Sequence, residues 1–261
     1  MLTRLIVHSW YTLASYTLHP GRVTLIDAAE GLDPTDPIDV LEVLRDFVLQ
    51  GRPAVKMFPR RSLPRSPYFS QDFTLDLGGP DGRFKYELLI EHHPRRDDGC
   101  RSENEVLWHD DSSVTAYYRG RSSAEDDDWN DDPTELPPPR VDPYISVLAQ
   151  LDDTLDPRLA AFKRQLARIH VVHTLPGSDP DTREQRARDE LAAVIPRLRD
   201  PELTLAVVLP DVLPDAELEP FLAAAHAAHQ AGPAAQLLLS AARPRLLERF
   251  NDLAQEPGPA R

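Results

Sequence analysis

The sequence predicts an α/β fold in which helices flank a mixed sheet that carries an antiparallel, strand-rich lobe. Near the N-terminus, an apolar strand at Val23–Ile26 is followed by a polar loop and an amphipathic helix at Ile38–Gln50. Near the C-terminus, two continuous apolar runs, Leu203–Leu209 and Gln236–Ser240, flank an alanine-rich helix at Asp215–Ala231. Continuous apolar strands that alternate with helices are typical of parallel sheets buried on both faces. We therefore expect both ends of the chain to share one sheet.

The first fifty residues justify the N-terminal part of this fold. Leu2–His8 alternates as a strand does, and Tyr11–Leu18 is either a second strand or an extended connection. Pro20 and Gly21 mark a turn before the strand at Val23–Ile26. The helix that follows has an apolar face at helical spacing, made of Ile38, Leu41, Val43, Leu44 and Phe47.

The middle of the chain predicts the antiparallel lobe, within residues 71–119. Gly51–Ser70 is rich in proline and arginine and is expected to be an ordered surface loop. After it, four segments alternate apolar and polar residues, as half-buried strands do: Phe73–Leu77, Phe84–His92, Glu105–His109 and Ser113–Arg119. Residues 78–82 form a glycine-rich hairpin turn between the first two.

An acidic, proline-rich linker is predicted at 120–140, because the stretch Ser122–Pro139 has too few apolar residues to form a core. Beyond it the pattern predicts a short strand at Ile169–His173 and four helices besides the alanine-rich one: Tyr144–Leu151, Pro157–Ile169, Asp181–Leu198 and Pro244–Leu253. The whole chain, 1–261, is interpreted as a single domain with the lobe and linker inside it.

Composition narrows the function classes. Lysine and arginine total 29 against 43 acidic residues, a formal charge of −14, which argues against a broad electrostatic grip on nucleic acid. A local basic patch at Arg60, Arg61 and Arg65 is still compatible with this net charge. The single cysteine, Cys100, excludes an internal disulfide framework, and no apolar run is long enough to span a bilayer. We therefore expect a cytoplasmic protein that does not associate with membranes.

The loop between the first buried strand and its helix lies where nucleotide-binding folds hold phosphate, but its chemistry is reversed. A phosphate cradle uses several glycines, whose neighbouring N–H groups close on the anion, and a lysine. This loop has one glycine, Gly31, no lysine, and four carboxylates. The four are Asp27, Glu30, Asp33 and Asp36.

These segments together resemble the head domain of ABC-type ATPases of the SMC and RecF class, a group of AAA family ATPases with a P-loop NTPase fold. Met1–Val7 resembles the opening strand of that family, and Thr35–Phe47 (TDPIDVLEVLRDF) resembles the helix after its P-loop. Leu203–Pro210 (LTLAVVLP) is similar to the family's Walker B strand, and Gln236–Phe250 to the strand and helix around its switch histidine. The resemblance extends over most of the chain.

The residues that give those motifs their chemistry are absent. In the alignment that the resemblance implies, the vestigial cradle consists of Gly31, Asp33, Pro34 and Thr35, with Thr35 as the only hydroxyl. Val208 and Leu209 occupy the Walker B Asp and Glu positions, and Ala242 occupies the switch position. The signature segment is at best a remnant at Ser178–Thr182.

The resemblance with these losses implies a catalytically inactive pseudo-ATPase that serves as a protein-binding or scaffold subunit. We expect no catalytic residue, no metal and no cofactor, with weak ATP and Mg²⁺ binding left open. Family context implies homo- or hetero-oligomers and a protein partner such as an active ATPase or a nuclease, in DNA repair or anti-phage defence. Two alternatives stay open. One is a divergent ATPase in which Arg52, Arg60 or Arg61 supplies the missing cation, and the other is an adaptor whose acidic surface mimics nucleic acid.

Two histidine groups are weaker candidates. His92, His93, Cys100 and His109 lie in one region, but their spacing matches no zinc motif, so we interpret them as solvated turn and edge residues. His226 and His229 share one face of a helix and are interpreted as a surface pair.

Overall fold

The computed structural model describes residues 1–27, 31–63, 69–95, 99–118, 141–154, 156–173, 180–210 and 212–240. The chain divides into two compact units. We call them the parallel unit (Met1, Pro20–Glu42 and Arg168–Arg261) and the antiparallel unit (Leu2–His19 and Val43–Ala167).

A four-stranded, all-parallel sheet forms the centre of the parallel unit. Its strands are β3 (Val23–Ile26), β8 (Ile169–Val172), β9 (Thr204–Val208) and β10 (Gln236–Ser240), in the order β3-β10-β9-β8. Strand β10 pairs with β3 on one side and β9 on the other, in parallel registers. The prediction that both ends of the chain share one sheet is therefore confirmed for β3 and β10, and so is the parallel pairing of the two apolar runs.

Helices and a tight turn complete the parallel unit. Helix α5 (Pro180–Val194) continues into a 3₁₀ turn at Ile195–Arg199, and α6 (Asp215–Ala231) leads from β9 to β10. Helix α1 (Asp36–Gln50) begins in this unit, and the boundary between the units falls within it. Apolar residues of α5, α6, β9 and β10 make one continuous core, which includes Leu191, Val207, Phe221 and Leu237.

A six-stranded antiparallel sheet, in the order β2-β1-β4-β5-β6-β7, forms the antiparallel unit. Its strands are β1 (Leu2–Trp10), β2 (Leu13–Leu18), β4 (Ser70–Gly79), β5 (Gly82–His92), β6 (Cys100–His109) and β7 (Ser112–Tyr118). The turn between β4 and β5 is a two-residue hairpin, because Gly79 pairs directly with Gly82. The structure thus has the antiparallel pairing predicted for residues 71–119, and it adds the first two strands of the chain to the same sheet.

Aromatic side chains fill the core beneath this sheet. Phe58 is fully buried and packs edge-on against Phe47 of α1, with ring centroids 5.1 Å apart. Trp10 and Phe73 contact the same ring.

Three further helices belong to this unit, α2 (Ala54–Met57), α3 (Val147–Gln150) and α4 (Pro157–Ala167).

Two expectations about this unit were wrong. Gly51–Ser70 was predicted as a surface loop, but α2 and a 3₁₀ turn at Arg60–Ser62 lie within it, because buried Phe58 anchors the segment to the core. His92 and Cys100 were interpreted as solvated, but each is 1% exposed. Strand β6 begins at Cys100 and not near Glu105, so that Cys100 pairs with His92 inside the sheet.

Several predictions lie outside the described residues. They are the acidic linker, the final helix at Pro244–Leu253, the switch position Ala242, the loop carboxylate Glu30, Arg65 of the basic patch, and Ser178 and Asp179 of the signature remnant. In the part of the chain that is described, no helix is long and apolar enough to cross a membrane.

Candidate functional site

The candidate site lies at the carboxyl edge of the parallel sheet, where ligands of open α/β sheets usually bind. Strand β3 ends at Ile26, and the chain reaches α1 through a loop in which Gly31 has a φ of +78°. Such a positive φ favours glycine, which has no Cβ atom. Strand, loop and helix therefore have the arrangement that the sequence predicted.

Asp33 forms a local turn by accepting hydrogen bonds from Thr35 and Asp36. Its Oδ1 atom accepts hydrogen bonds from the backbone N–H of Thr35 at 2.9 Å and from the Thr35 hydroxyl at 2.8 Å. The Asp33 carbonyl also accepts the N–H of Asp36 at 3.1 Å. In a phosphate cradle, N–H groups at this point face the anion. In this chain, the Asp33 carboxylate accepts from one such N–H group, that of Thr35, and from the Thr35 hydroxyl.

Ser240, at the carboxyl end of β10, is hydrogen-bonded to two of the predicted positions, Pro34 and Leu209. Its side chain is completely buried, and its hydroxyl donates a hydrogen bond to the carbonyl of Pro34 in the loop. Its own carbonyl accepts the N–H of Leu209, which follows β9, at 2.8 Å. The loop before α1 and the residue after β9 are therefore both hydrogen-bonded to one residue that the sequence analysis did not single out.

The end of β9 is apolar where the family's nucleotide chemistry needs carboxylates. Val208 is the last residue of β9 and is half-buried, and Leu209 is 5% exposed. Pro210, which follows, is also buried. Valine and leucine side chains have no oxygen ligand for Mg²⁺ and no group that could activate water. Neither Val208 nor Leu209 can therefore coordinate a metal ion or activate water through its side chain.

A histidine from the next strand meets the first turns of α1. His173 directly follows β8, and its Nε2 atom lies 3.4 Å from Asp39 Oδ1 and 3.1 Å from Glu42 Oε2. Burial raises the pKa of Asp39 to about 6, and the carboxylates of Asp36 and Glu42 add to the rise while His173 opposes it. Burial also raises the pKa of Glu190 on α5, which interacts with the same histidine.

Carboxylates of the chain itself already lie at the N-terminal end of α1. Asp36 and Asp39 lie in its first turn, where carboxylates interact favourably with the positive end of the helix dipole. A bound phosphate would have to compete with these side chains for the same end of the helix. Across the described residues, no group of three or more histidine, cysteine, aspartate or glutamate side chains is arranged to hold a metal ion.

Other candidates from the sequence lie in the antiparallel unit and have structural partners there. His92 Nε2 lies 2.8 Å from Gln71 Oε1, and burial lowers the pKa of His92 to about 4, with a smaller effect from Arg60. The Arg60 guanidinium donates to the carbonyls of His93 and Pro94 and stacks 5.2 Å over the Phe69 ring. Arg60 is thus held by its own unit.

The remaining predicted pair lies on α6. His229 Nδ1 is 2.8 Å from the carbonyl of Ala225, one turn earlier, and His226 Nε2 is 3.4 Å from the side-chain amide of Gln230. Both side chains are half-buried and bonded within their own helix.

Ser240 and His173 are the site residues that sequence reasoning missed. A serine at the end of an apolar strand and a histidine after a short one are both common, and neither belongs to a motif. Their importance depends on the strand order, which places β10 between β3 and β9. A polar residue directly after each of several buried strands is the one signal that could have drawn attention to them.

Comparison with known proteins finds structural similarity but no sequence match. No protein-family model matches the chain, and no curated protein matches it. Among solved structures, the chain is similar to the SMC head domain from Thermotoga maritima, with 10% sequence identity and a TM-score of 0.48. The alignment covers 95% of this chain and 91% of that one. The similarity is remote, so the functional interpretation depends on the residues of this chain.

Proposed function

We propose that the chain is an SMC- and RecF-like head domain that has lost its nucleotide chemistry and acts as a protein-binding or scaffold subunit. Three supports come from the chain itself. A strand, loop and helix stand in the order that a phosphate cradle requires, and β10 lies between β3 and β9. The loop and the end of β9 meet at Ser240, as two parts of one former site would.

The observation that carries the proposal is the self-closed loop after β3. Asp33 occupies the N–H and the hydroxyl of Thr35, and Ser240 donates to the Pro34 carbonyl. A triphosphate would have to break these hydrogen bonds and then lie beside the carboxylates of Asp33, Asp36 and Asp39. Each like-charge contact near a protein surface costs about 1–4 kcal/mol.

Hydrolysis has a further requirement that the site does not meet. Phosphoryl transfer in P-loop proteins depends on positioning and on charge neutralisation by a lysine and Mg²⁺. The loop has no lysine, and β9 ends in Val208 and Leu209. The former site therefore retains the backbone arrangement without the charges that drive the reaction.

The role that remains is binding through protein surfaces. Heads of the resembled class work in pairs, which implies that this domain joins a second subunit. An intact ATPase or a nuclease, in DNA repair or anti-phage defence, is the partner class that the resemblance implies. The formal charge of −14 favours a protein partner over direct contact with nucleic acid.

Steady-state ATP hydrolysis by the purified chain tests this proposal. Thr35 has the only hydroxyl in the vestigial cradle, so Thr35→Ala is the matched variant. We expect both proteins to give the same background rate with Mg²⁺. Turnover by the wild type that is abolished in Thr35→Ala would show that the proposal is wrong.

A further inference from the structure

The antiparallel unit has a basic surface, although the chain as a whole is acidic. From Phe47 to Gln71 the sequence has five basic residues and no acidic one, whereas acidic residues outnumber basic ones by 43 to 29 in the whole chain. Arg61, which lies in this stretch, and Arg95, which lies shortly after β5, are both exposed. Within the described residues, neither of these two guanidinium groups takes part in an ion pair.

Arg60 holds the segments of these two arginines together. Its guanidinium donates hydrogen bonds to the carbonyls of His93 and Pro94, and Pro94 directly precedes Arg95. The N–H of Arg95 donates in turn to His93 Nδ1 at 3.0 Å. Because Arg61 is the next residue after Arg60, the 3₁₀ turn that carries it lies against the turn that carries Arg95.

Phe69 adds an apolar part to the same surface. Its side chain is 39% exposed, whereas the other described phenylalanines are buried, and the Arg60 guanidinium lies over its ring, 5.2 Å from the centroid. The Phe69 carbonyl accepts the N–H of His92 at 2.7 Å, which fixes the backbone of Phe69 beside the end of β5. We call Arg60, Arg61, Arg95 and Phe69 the Arg60 surface.

We propose that the Arg60 surface binds an acidic segment of a protein partner, in which carboxylates flank an apolar side chain. The planar fork of a guanidinium group can donate two parallel hydrogen bonds to one carboxylate, so Arg61 and Arg95 match aspartate or glutamate. The apolar side chain would contact the exposed part of the Phe69 ring. This inference rests on the proposed role in protein binding and adds the chemistry of the partner.

Charge favours an acidic protein segment over nucleic acid as the occupant. At physiological ionic strength, charges are largely screened beyond about 8 Å, so a short segment interacts mainly with the arginines beneath it. A nucleic-acid strand has a phosphate at every nucleotide and extends beyond this surface, where a chain with a formal charge of −14 repels it. Single strands also stack their bases on free aromatic faces, and Arg60 already covers one face of the Phe69 ring.

Fluorescence anisotropy of a labelled peptide tests this binding on the full chain. The probe is a fluorescein-labelled peptide of three Glu-Glu-Phe-Glu repeats, titrated with protein at low ionic strength and without nucleotide. We expect saturable binding, and we expect Arg61→Glu and Arg95→Glu each to raise the Kd about fivefold or more, because an attraction becomes a repulsion. A peptide of Glu-Glu-Ala-Glu repeats should bind more weakly, because it has no side chain that reaches the Phe69 ring.

Arg199→Glu is the matched control, because it changes the net charge of the chain by the same amount. Arg199 is exposed at the end of the 3₁₀ turn in the parallel unit and, within the described residues, takes part in no ion pair. We expect this variant to bind the peptide as the wild type does. Circular dichroism checks that all the variants are folded. Absence of peptide binding by the wild type, or an equal loss of affinity in Arg199→Glu, would overturn the proposal.

Two further measurements distinguish other occupants. A labelled thymidine single strand of the same length that bound more tightly than the peptide, and lost this affinity in Arg61→Glu, would assign the surface to nucleic acid and overturn the proposal. A wild-type dimer that Arg95→Glu dissociates, seen by light scattering without peptide, would assign it to a second copy and overturn it too. Because no nucleotide is present, a failure here would not bear on the inactive cradle, and ATP hydrolysis would not bear on the Arg60 surface.

Discussion

The buried carboxylate of Asp39 makes the stability of the folded protein depend on pH. In the folded state its pKa is about 6, against an ordinary value of 3.8, chiefly because of burial. A carboxyl group with a raised pKa binds its proton more tightly in the folded state than in the unfolded state. Its contribution to stability is therefore full below about pH 4 and is lost as the pH rises through about 6.

We predict that Asp39→Asn stabilises the protein at pH 7.5 and that this gain disappears as the pH falls to 4. The side chain of Asp39 is 37% exposed, so solvent screening reduces the effect to about 1 kcal/mol. Thermal unfolding of both proteins across this pH range measures it. A variant that is less stable than the wild type at pH 7.5 would contradict the prediction.

Glu105 is a buried carboxylate with a purely structural role. It is completely buried on β6 and accepts hydrogen bonds from the Tyr86 hydroxyl, the Ser146 hydroxyl and the N–H of Val147. Burial raises its pKa, and these hydrogen bonds oppose the rise. The contacts fasten the start of α3 to the sheet.

Two replacements of Glu105 distinguish what its size and hydrogen bonds contribute to stability from what its charge contributes. Glu105→Ala leaves three buried donors without an acceptor and opens a cavity, so we expect a loss of about 3 kcal/mol or more in the free energy of unfolding. Glu105→Gln keeps the size, and both hydroxyls can turn to accept from the new amide, so its loss should be much smaller. Denaturant unfolding measures both. Equal losses in the two variants would show that charge, and not hydrogen bonding, matters at this position.

At the scale of elements, β10 holds the site together through Ser240. Its hydroxyl reaches the Pro34 carbonyl and its carbonyl receives the N–H of Leu209. Ser240→Ala removes only the first of these contacts. We expect a loss of about 1–2 kcal/mol, because a buried carbonyl loses its donor.

The exposed Ser113→Ala is the control for this change and should alter the free energy of unfolding by less than about 0.5 kcal/mol. Denaturant unfolding compares both variants with the wild type. If Ser240→Ala were as neutral as Ser113→Ala, the hydrogen bond to Pro34 would not be what closes the loop.

Local pattern was enough to predict the elements whose burial follows their sequence. Helix α6 and strand β10 begin and end at the predicted residues, and α1 begins two residues earlier than predicted. Strand β6 was predicted too short, because its first residues, Cys-Arg-Ser-Glu-Asn, look solvated. Their placement depends on partners from other segments: Arg101 with Glu91 at 3.0 Å, and the N–H of Ser102 with the Pro143 carbonyl at 2.8 Å.

Part of the candidate site could likewise be predicted from the sequence, and part could not. Asp33 and Thr35 could be found from the loop sequence, because aspartate two residues before a donor is a familiar turn arrangement. The contributions of Ser240 and His173 could not be found, because they arise only when β10 and β8 take their places in the sheet. The sequence also left open the hydrogen-bond partners within this loop, and the structure shows those of Asp33 and of the Pro34 carbonyl.

At the scale of the whole molecule, the net negative charge repels an anionic nucleotide. The chain has a formal charge of −14, and ATP with its Mg²⁺ is still an anion. Long-range repulsion slows the approach of such a ligand, and the carboxylates of α1 oppose its binding once it arrives. The carboxylates near the loop and the net charge of the chain therefore both disfavour the binding of an anionic nucleotide.

Thermal unfolding with and without millimolar Mg²⁺-ATP tests the loss of nucleotide binding most directly. A ligand that binds only the folded state stabilises it by about 2.7 kcal/mol at one hundred times its Kd. For a chain of this size that corresponds to a rise of about 5–10 °C in Tm. The closed, acidic cradle predicts no rise beyond the effect of Mg²⁺ alone. A rise of several degrees that is lost in Thr35→Ala would mean that the loop opens to bind nucleotide, and it would contradict the proposal of a closed, inactive cradle.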